Sequence, residues 1–143
     1  MDLQKLQESV AARIRAIPLL AGLPVREEQL GDIVAATQDD IYKTKFCVVV
    51  GTASFSDEAP DAQACYGETK IAVSVFEDPE MNRARQGRPT FLEAAQAIAK
   101  ALKLFRPDVP GAGHLTSPRI GEAQDLGVGI ISVVVTLSMK IEL

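Results

Sequence analysis

The C-terminal stretch constrains this chain most. From Val128 to Glu142, the residues Ile131, Val133, Val135, Leu137, Met139 and Ile141 share one side of an extended segment. Ser132, Thr136, Ser138, Lys140 and Glu142 share the other, with Val134 the exception. Strand side chains alternate with a period of two, so the pattern predicts one buried and one wet face. At about 3.3 Å per residue the run would reach roughly 50 Å if straight. A compact chain of 143 residues has a radius of gyration of only about 14–15 Å. The strand is therefore expected to bend, to break, or to reach past its own subunit.

The other segments build a sheet around it. Phe46-Cys47-Val48-Val49-Val50 is a short, nearly unbroken apolar run, the pattern of a strand buried on both faces. In Tyr66 to Glu77, Ile71, Val73 and Val75 alternate with Lys70, Ala72 and Ser74. The two runs predict an antiparallel pair joined by a polar loop, Ser56 to Ala64. Val25 to Gln29 reads as a short edge strand, and His114 to Ile120 as another short strand. Leu3, Leu6, Val10, Ile14 and Ile17 place an apolar stripe on a first helix that Asp2 can cap. Asp32 is the expected cap of a second helix, Ile33 to Thr44. Thr90 and Glu93 have capping-box spacing before a third, whose apolar face runs Phe91, Ala95, Ile98, Leu102 and Phe105. Asp78 to Pro89 and Arg106 to Gly127 read as loops. The predicted fold is α+β, a single domain over 1–143. It has a mixed or antiparallel sheet of about four strands with helices packed mainly on one face.

Composition narrows the function. Fifteen Lys+Arg against nineteen Asp+Glu give a formal charge of -4. Nucleic-acid affinity comes largely from phosphate neutralisation, so no sequence-specific nucleic-acid partner is expected. The absence of Trp, with 5% aromatics, leaves few stacking platforms. Residues 1–10 carry Asp2, Lys5 and Glu8 and lack a signal-peptide core, and no run approaches a membrane span. Two cysteines, Cys47 and Cys65, make no disulfide framework. The expectation is a soluble protein kept in a reducing compartment, with no membrane partner.

Reactive constellations are missing. His114 is the only histidine, and the two cysteines lack metal-ligand spacing. No phosphate-loop, dinucleotide or nucleophile-elbow glycine motif occurs, and Gly111-Ala112-Gly113 opens no strong helix. Asp39-Asp40 and Glu77-Asp78 are adjacent pairs whose side chains diverge. No catalytic residue, metal or cofactor is therefore expected. The one local concentration of charge is Arg83, Arg85 and Arg88, just before a helix start and after Glu77 and Asp78. Arginines there suit a solvated loop, a protein interface, or a nucleic acid or phosphate.

These residues carry a resemblance. Val75-Phe76-Glu77-Asp78-Pro79, then Asn82-Arg83, Gly87 and a helix opening at Thr90, resemble the tail terminator (tail completion, or minor tail) proteins of long-tailed phages and prophages. Gly31-Asp32-Ile33, the following helix, the Cys47 to Val50 strand and the long last strand fit the same order. The resemblance implies an α+β subunit of a hexameric ring that caps the head-proximal end of the tail tube. Such a ring ends tube polymerisation and prepares head joining, without catalysis. It implies as partners further copies of the chain, the tail tube protein and a head completion or connector protein. It implies a place in the virion tail, after assembly in the host cytoplasm. Arg83, Arg85, Arg88, Glu77 and Asp78 are the candidate contacts to a neighbouring subunit or tube ring. Rival readings are a head–tail connector or other minor tail component, a small ligand-binding regulatory domain, and an enzyme using carboxylates near Glu77.

Overall fold

The computed structural model describes residues 1–28, 33–83 and 87–143. Its elements run α1 (Leu3–Arg15), a 3-10 turn (Pro18–Leu20), β1 (Val25–Glu27), α2 (Ile33–Thr44), β2 (Phe46–Val50), β3 (Ser54–Asp57) and β4 (Tyr66–Glu77). They continue with α3 (Pro79–Arg83), α4 (Phe91–Leu102), β5 (Thr116–Ile120), β6 (Gln124–Asp125) and β7 (Ile131–Glu142). The strands lie in the order β1-β2-β4-β7-β5, with β3 also on β4 and β6 also on β7. The β1–β2 pair is parallel and the rest are antiparallel. This is an α+β fold with a mixed sheet around one apolar core.

The sheet has seven strands, not about four. The excess comes from segments without apolar periodicity. Strand β3 is Ser-Phe-Ser-Asp and β6 is Gln-Asp, with side chains mostly in solvent. Backbone pairing recruits them, and side-chain patterning is silent about that. Gly67 lets β3 close onto β4, because a Cβ there would meet Ser56 O at 1.9 Å. Strand β5 carries a register shift between Thr116 and Arg119, with Ser117 at φ 54 and Pro118 beside it. A bulge and a proline blunt an exposed edge against further pairing.

The long last strand is also shorter than its pattern. Gly127, Val128 and Gly129 take φ of 79, 51 and 79, so a turn precedes Ile131. From there β7 matches β4 residue for residue, Ile131 against Glu77 through Glu142 against Tyr66. Of the three expected outcomes the run breaks, at the Gly127–Gly129 turn, and the remainder is accompanied to its end by an equally long β4.

Helix ends follow local chemistry. Asp2 accepts from the N–H groups of Gln4 and Lys5 at 3.0 and 3.2 Å, satisfying free amides of α1. Thr90 Oγ1 accepts from Glu93 N at 3.2 Å. The Glu93 carboxylate meets that hydroxyl at 3.3 Å. Helix α4 ends at Leu102, one turn short of Phe105, and Leu104 turns to φ 61. The expected Asp32 cap and the Gly31-Asp32 turn lie outside the described residues.

Helices α1 and α4 cover one face of the sheet. Leu6, Val10 and Ile14 of α1 and Phe91, Ala95, Ile98 and Leu102 of α4 share a core with Val48, Val73, Val75, Val133, Val135 and Leu137. Gln7 is the polar tie in this layer, its Nε2 donating to Glu28 O at 2.7 Å and Val50 O at 3.0 Å. Helix α2 lies on the opposite face over β1 and β2, where Asp40 accepts from Arg26 and Cys47. Cys47 and Val49 are buried but stand apart from the main core.

Candidate functional site

Two places bear on the expectation of an assembly surface. The first is the segment after β4. Glu77 is fully buried, and its Oε2 accepts from Asn82 Nδ2 at 2.6 Å. The same amide donates to Pro89 O at 2.9 Å. Among the described residues, Glu77 Oε1 and Asn82 Oδ1 have no hydrogen-bond partner. Asp78 caps the short helix α3, its Oδ1 accepting from Met81 N at 3.2 Å, while its own N–H donates to Lys45 O at 3.0 Å. Arg88 is half-buried and donates from Nη1 to Thr44 O at 3.1 Å. Arg83 ends α3, and Arg85 lies outside the described residues.

Glu77, Asp78 and Arg88 thus fasten the segment to the start of β2 rather than forming one outward cluster. Glu77 has no exposed surface to offer a neighbour in this conformation. Asn82, which stands out in the sequence only through the Asn82-Arg83 resemblance, is the residue that joins Glu77 to Pro89. Its signal was the Glu-x-x-x-x-Asn spacing across a turn, visible only once α3 was known to fold there.

The second place is the open face of the sheet. Helix α2 covers only its β1–β2 end. Beyond it, Ala72, Ser74 and Phe76 of β4 stay half-buried, and Val134 of β7 is exposed. Between α2 and the turn before β7 runs a groove of about 510 Å³, floored by Val49, Ala72 and Phe76 and walled by Val34, Leu126 and Val128. Val34 is 67% exposed and Val128 95% exposed. Apolar side chains gathered this way at the surface make the groove a candidate interaction site. The groove leaves no local signal in the sequence, because it joins residues from five separate segments.

The electrostatics nearby are structural. Hydrogen bonds from Arg26 hold the Asp40 carboxyl below the usual carboxylate range, against the opposing pull of burial. Burial, with the Asp40 charge beside it, pushes the Cys47 thiol up to about 12. A thiol so raised is neither a nucleophile nor a ready metal ligand. His114 is exposed. Among the described residues no three His, Cys, Asp or Glu side chains converge as a metal site. No helix among them is long and apolar enough to cross a membrane.

No family model matches the chain. No curated protein matches it significantly in sequence. Solved structures do share its fold. One is a chain from the virion of a native gene transfer agent particle, with TM-score 0.60 and 19% identity over 96% of this chain and 94% of that one. A second solved protein matches with TM-score 0.55 and 12% identity over 98% and 92%. The chain therefore has, over nearly its whole length, the fold of a protein found in a gene transfer agent virion.

Proposed function

We propose that this chain is a non-enzymatic structural protein of a phage-like particle, acting as a ring-forming tail terminator at the head-proximal end of the tail tube. The observation that carries the reading is the near full-length fold shared with a chain of a gene transfer agent virion. The motif at Glu77–Thr90 supports the finer assignment, and the open sheet face supplies a surface for neighbours. Its partners are other copies of itself, the tube protein and a head completion or connector protein. It assembles in the host cytoplasm and ends in the virion tail. Arg83, Arg85 and Arg88 contact acidic groups of a neighbouring subunit or tube ring in this reading, with Glu77 and Asp78 anchoring the segment that carries them.

Deleting the gene in a particle-producing host tests it by electron microscopy. A terminator defect gives overlong tubes. Free tails of normal length point instead to the second reading, a head–tail connector. Unaltered, infectious particles overturn both. Charge reversal at all three arginines is expected to reduce particle yield, and full yield removes them from the interface. The groove of about 510 Å³ favours one rival from another class, a ligand-binding domain. That rival requires a small molecule to raise the melting temperature of the purified protein.

A further inference from the structure

Two apolar side chains stand in solvent on backbone that L-residues avoid. Leu104 has φ 61 and is 62% exposed. Val128 has φ 51 and is 95% exposed. The left-handed region crowds Cβ against the backbone, most severely for a β-branched residue. Exposure returns nothing for that strain, and such outliers cluster where a contact with something else uses them. Local bonds hold both in place. Leu104 N donates to Leu115 O at 2.8 Å. Leu126 N donates to Ile130 O at 2.9 Å, closing the turn that carries Val128.

Their surroundings are opposite in charge. Lys100, Lys103 and Arg106 lie within four residues of Leu104, with Asp108 the one carboxylate of the stretch 100–108. Arg13 joins this corner, its Nε donating to Ala101 O at 3.2 Å and its guanidinium 5.3 Å from the Phe105 ring centre. Among the described residues, Glu28 is the carboxylate in the lining of the groove under Val128, Asp125 precedes the turn, and Glu122 lies in a separate hollow it shares with Arg119. The basic knob is on the helical side of the sheet, and the groove, with Glu28 as its charged lining residue, is on the open side.

We propose that Leu104 of one copy seats in the groove beneath Val128 of a second copy, with Arg13, Lys100, Lys103 and Arg106 facing Glu28 and Asp125. The occupant is a second copy because the chain itself carries a surface matching the groove in charge and in apolar character. Two different patches that complement each other make a heterologous contact, the kind that closes rings or runs on as filaments. The inference rests on the self-assembly in the proposed function and assigns residues to it.

Sedimentation and native mass spectrometry across concentration and salt test it. Leu104→Gly removes the knob and suits the positive φ, so the fold stays intact by circular dichroism while self-association weakens about tenfold or more. Lys103→Glu with Arg106→Glu weakens it similarly and more at low salt. Mixing that variant with Glu28→Lys protein restores mixed assemblies. Asp125 is left alone because it accepts from Gly127 N at 2.8 Å and shapes the turn. A wild-type chain that stays monomeric at every concentration overturns the proposal. So does unchanged association in Leu104→Gly, or failure of the charge-swapped pair to assemble. The last two leave the terminator reading standing, since tube length in the deletion host decides that separately.

Discussion

On one face of the sheet, Val48, Val73, Val75, Val133, Val135 and Leu137 are sealed beneath α1 and α4. On the other, Ala72, Ser74, Phe76, Val134 and Thr136 come from the same strands and remain at least partly open. The helical side is filled with branched aliphatics that leave no surface to water. The open side mixes hydroxyls, small residues and a few exposed aliphatics around a groove. The difference separates a face that carries stability from one that does not. Folding free energy comes mainly from the first face, while the second stays partly uncovered.

The sharpest way to break this comparison is chemical. Cys47 lies under α2 with its thiol pushed up to about 12, and Cys65 is exposed. A thiol reagent at mildly alkaline pH is expected to modify Cys65, with Cys47 slower than an ordinary thiol by about a thousandfold or more. Equal reaction of both thiols under native conditions would mean α2 does not seal its end of the open face.

Next in size is truncation of the sealed face. Leu137→Ala is expected to lose about 2–5 kcal/mol in urea denaturation, from lost burial and the cavity left behind. A smaller effect tests the α2 anchor. Asp40→Asn is expected to cost about 1–2 kcal/mol, limited because nearly half of the Arg26 side chain is in water. The pH profile has a definite sign. Asp40 is held below its ordinary range when folded. Its contribution is therefore complete above the unfolded carboxylate range, near pH 4. It is lost as pH falls from there through the folded value. Acid denaturation of Asp40→Asn should lack that part of the slope, and an unchanged acid limb would show the Arg26 pair to be inert. The smallest effect belongs to the open face. Val134→Ala is expected to change stability by less than about 1 kcal/mol, and a loss as large as that of Leu137→Ala would erase the distinction between the faces.

Much of this was legible before folding was known. Strands β2 and β4 begin and end where apolar content and alternation placed them, Phe46–Val50 and Tyr66–Glu77. The stripes at Leu6, Val10 and Ile14 and at Phe91, Ala95, Ile98 and Leu102 mark the buried sides of α1 and α4. The polar strands β3 and β6 were not legible, because backbone pairing leaves no trace in side-chain periodicity. Helix α3 was hidden inside a segment read as a loop, since five residues are too few to show a stripe. The candidate arginines were visible as a cluster of charge. That Glu77 turns inward to hold Asn82 was not, because a carboxylate at a strand end is ordinarily solvated.

The amino-acid order alone determined which residues leave water. Burial of apolar side chains is set by period, two in strands and 3.6 in helices, and that information is local. Tertiary structure decided what accompanies the last strand, how many polar segments join the sheet, and which surface stays uncovered. Those outcomes depend on contacts between segments far apart in the chain, such as Ser56 against Gly67 or Val34 facing Val128 across the groove. No window of sequence contains both partners.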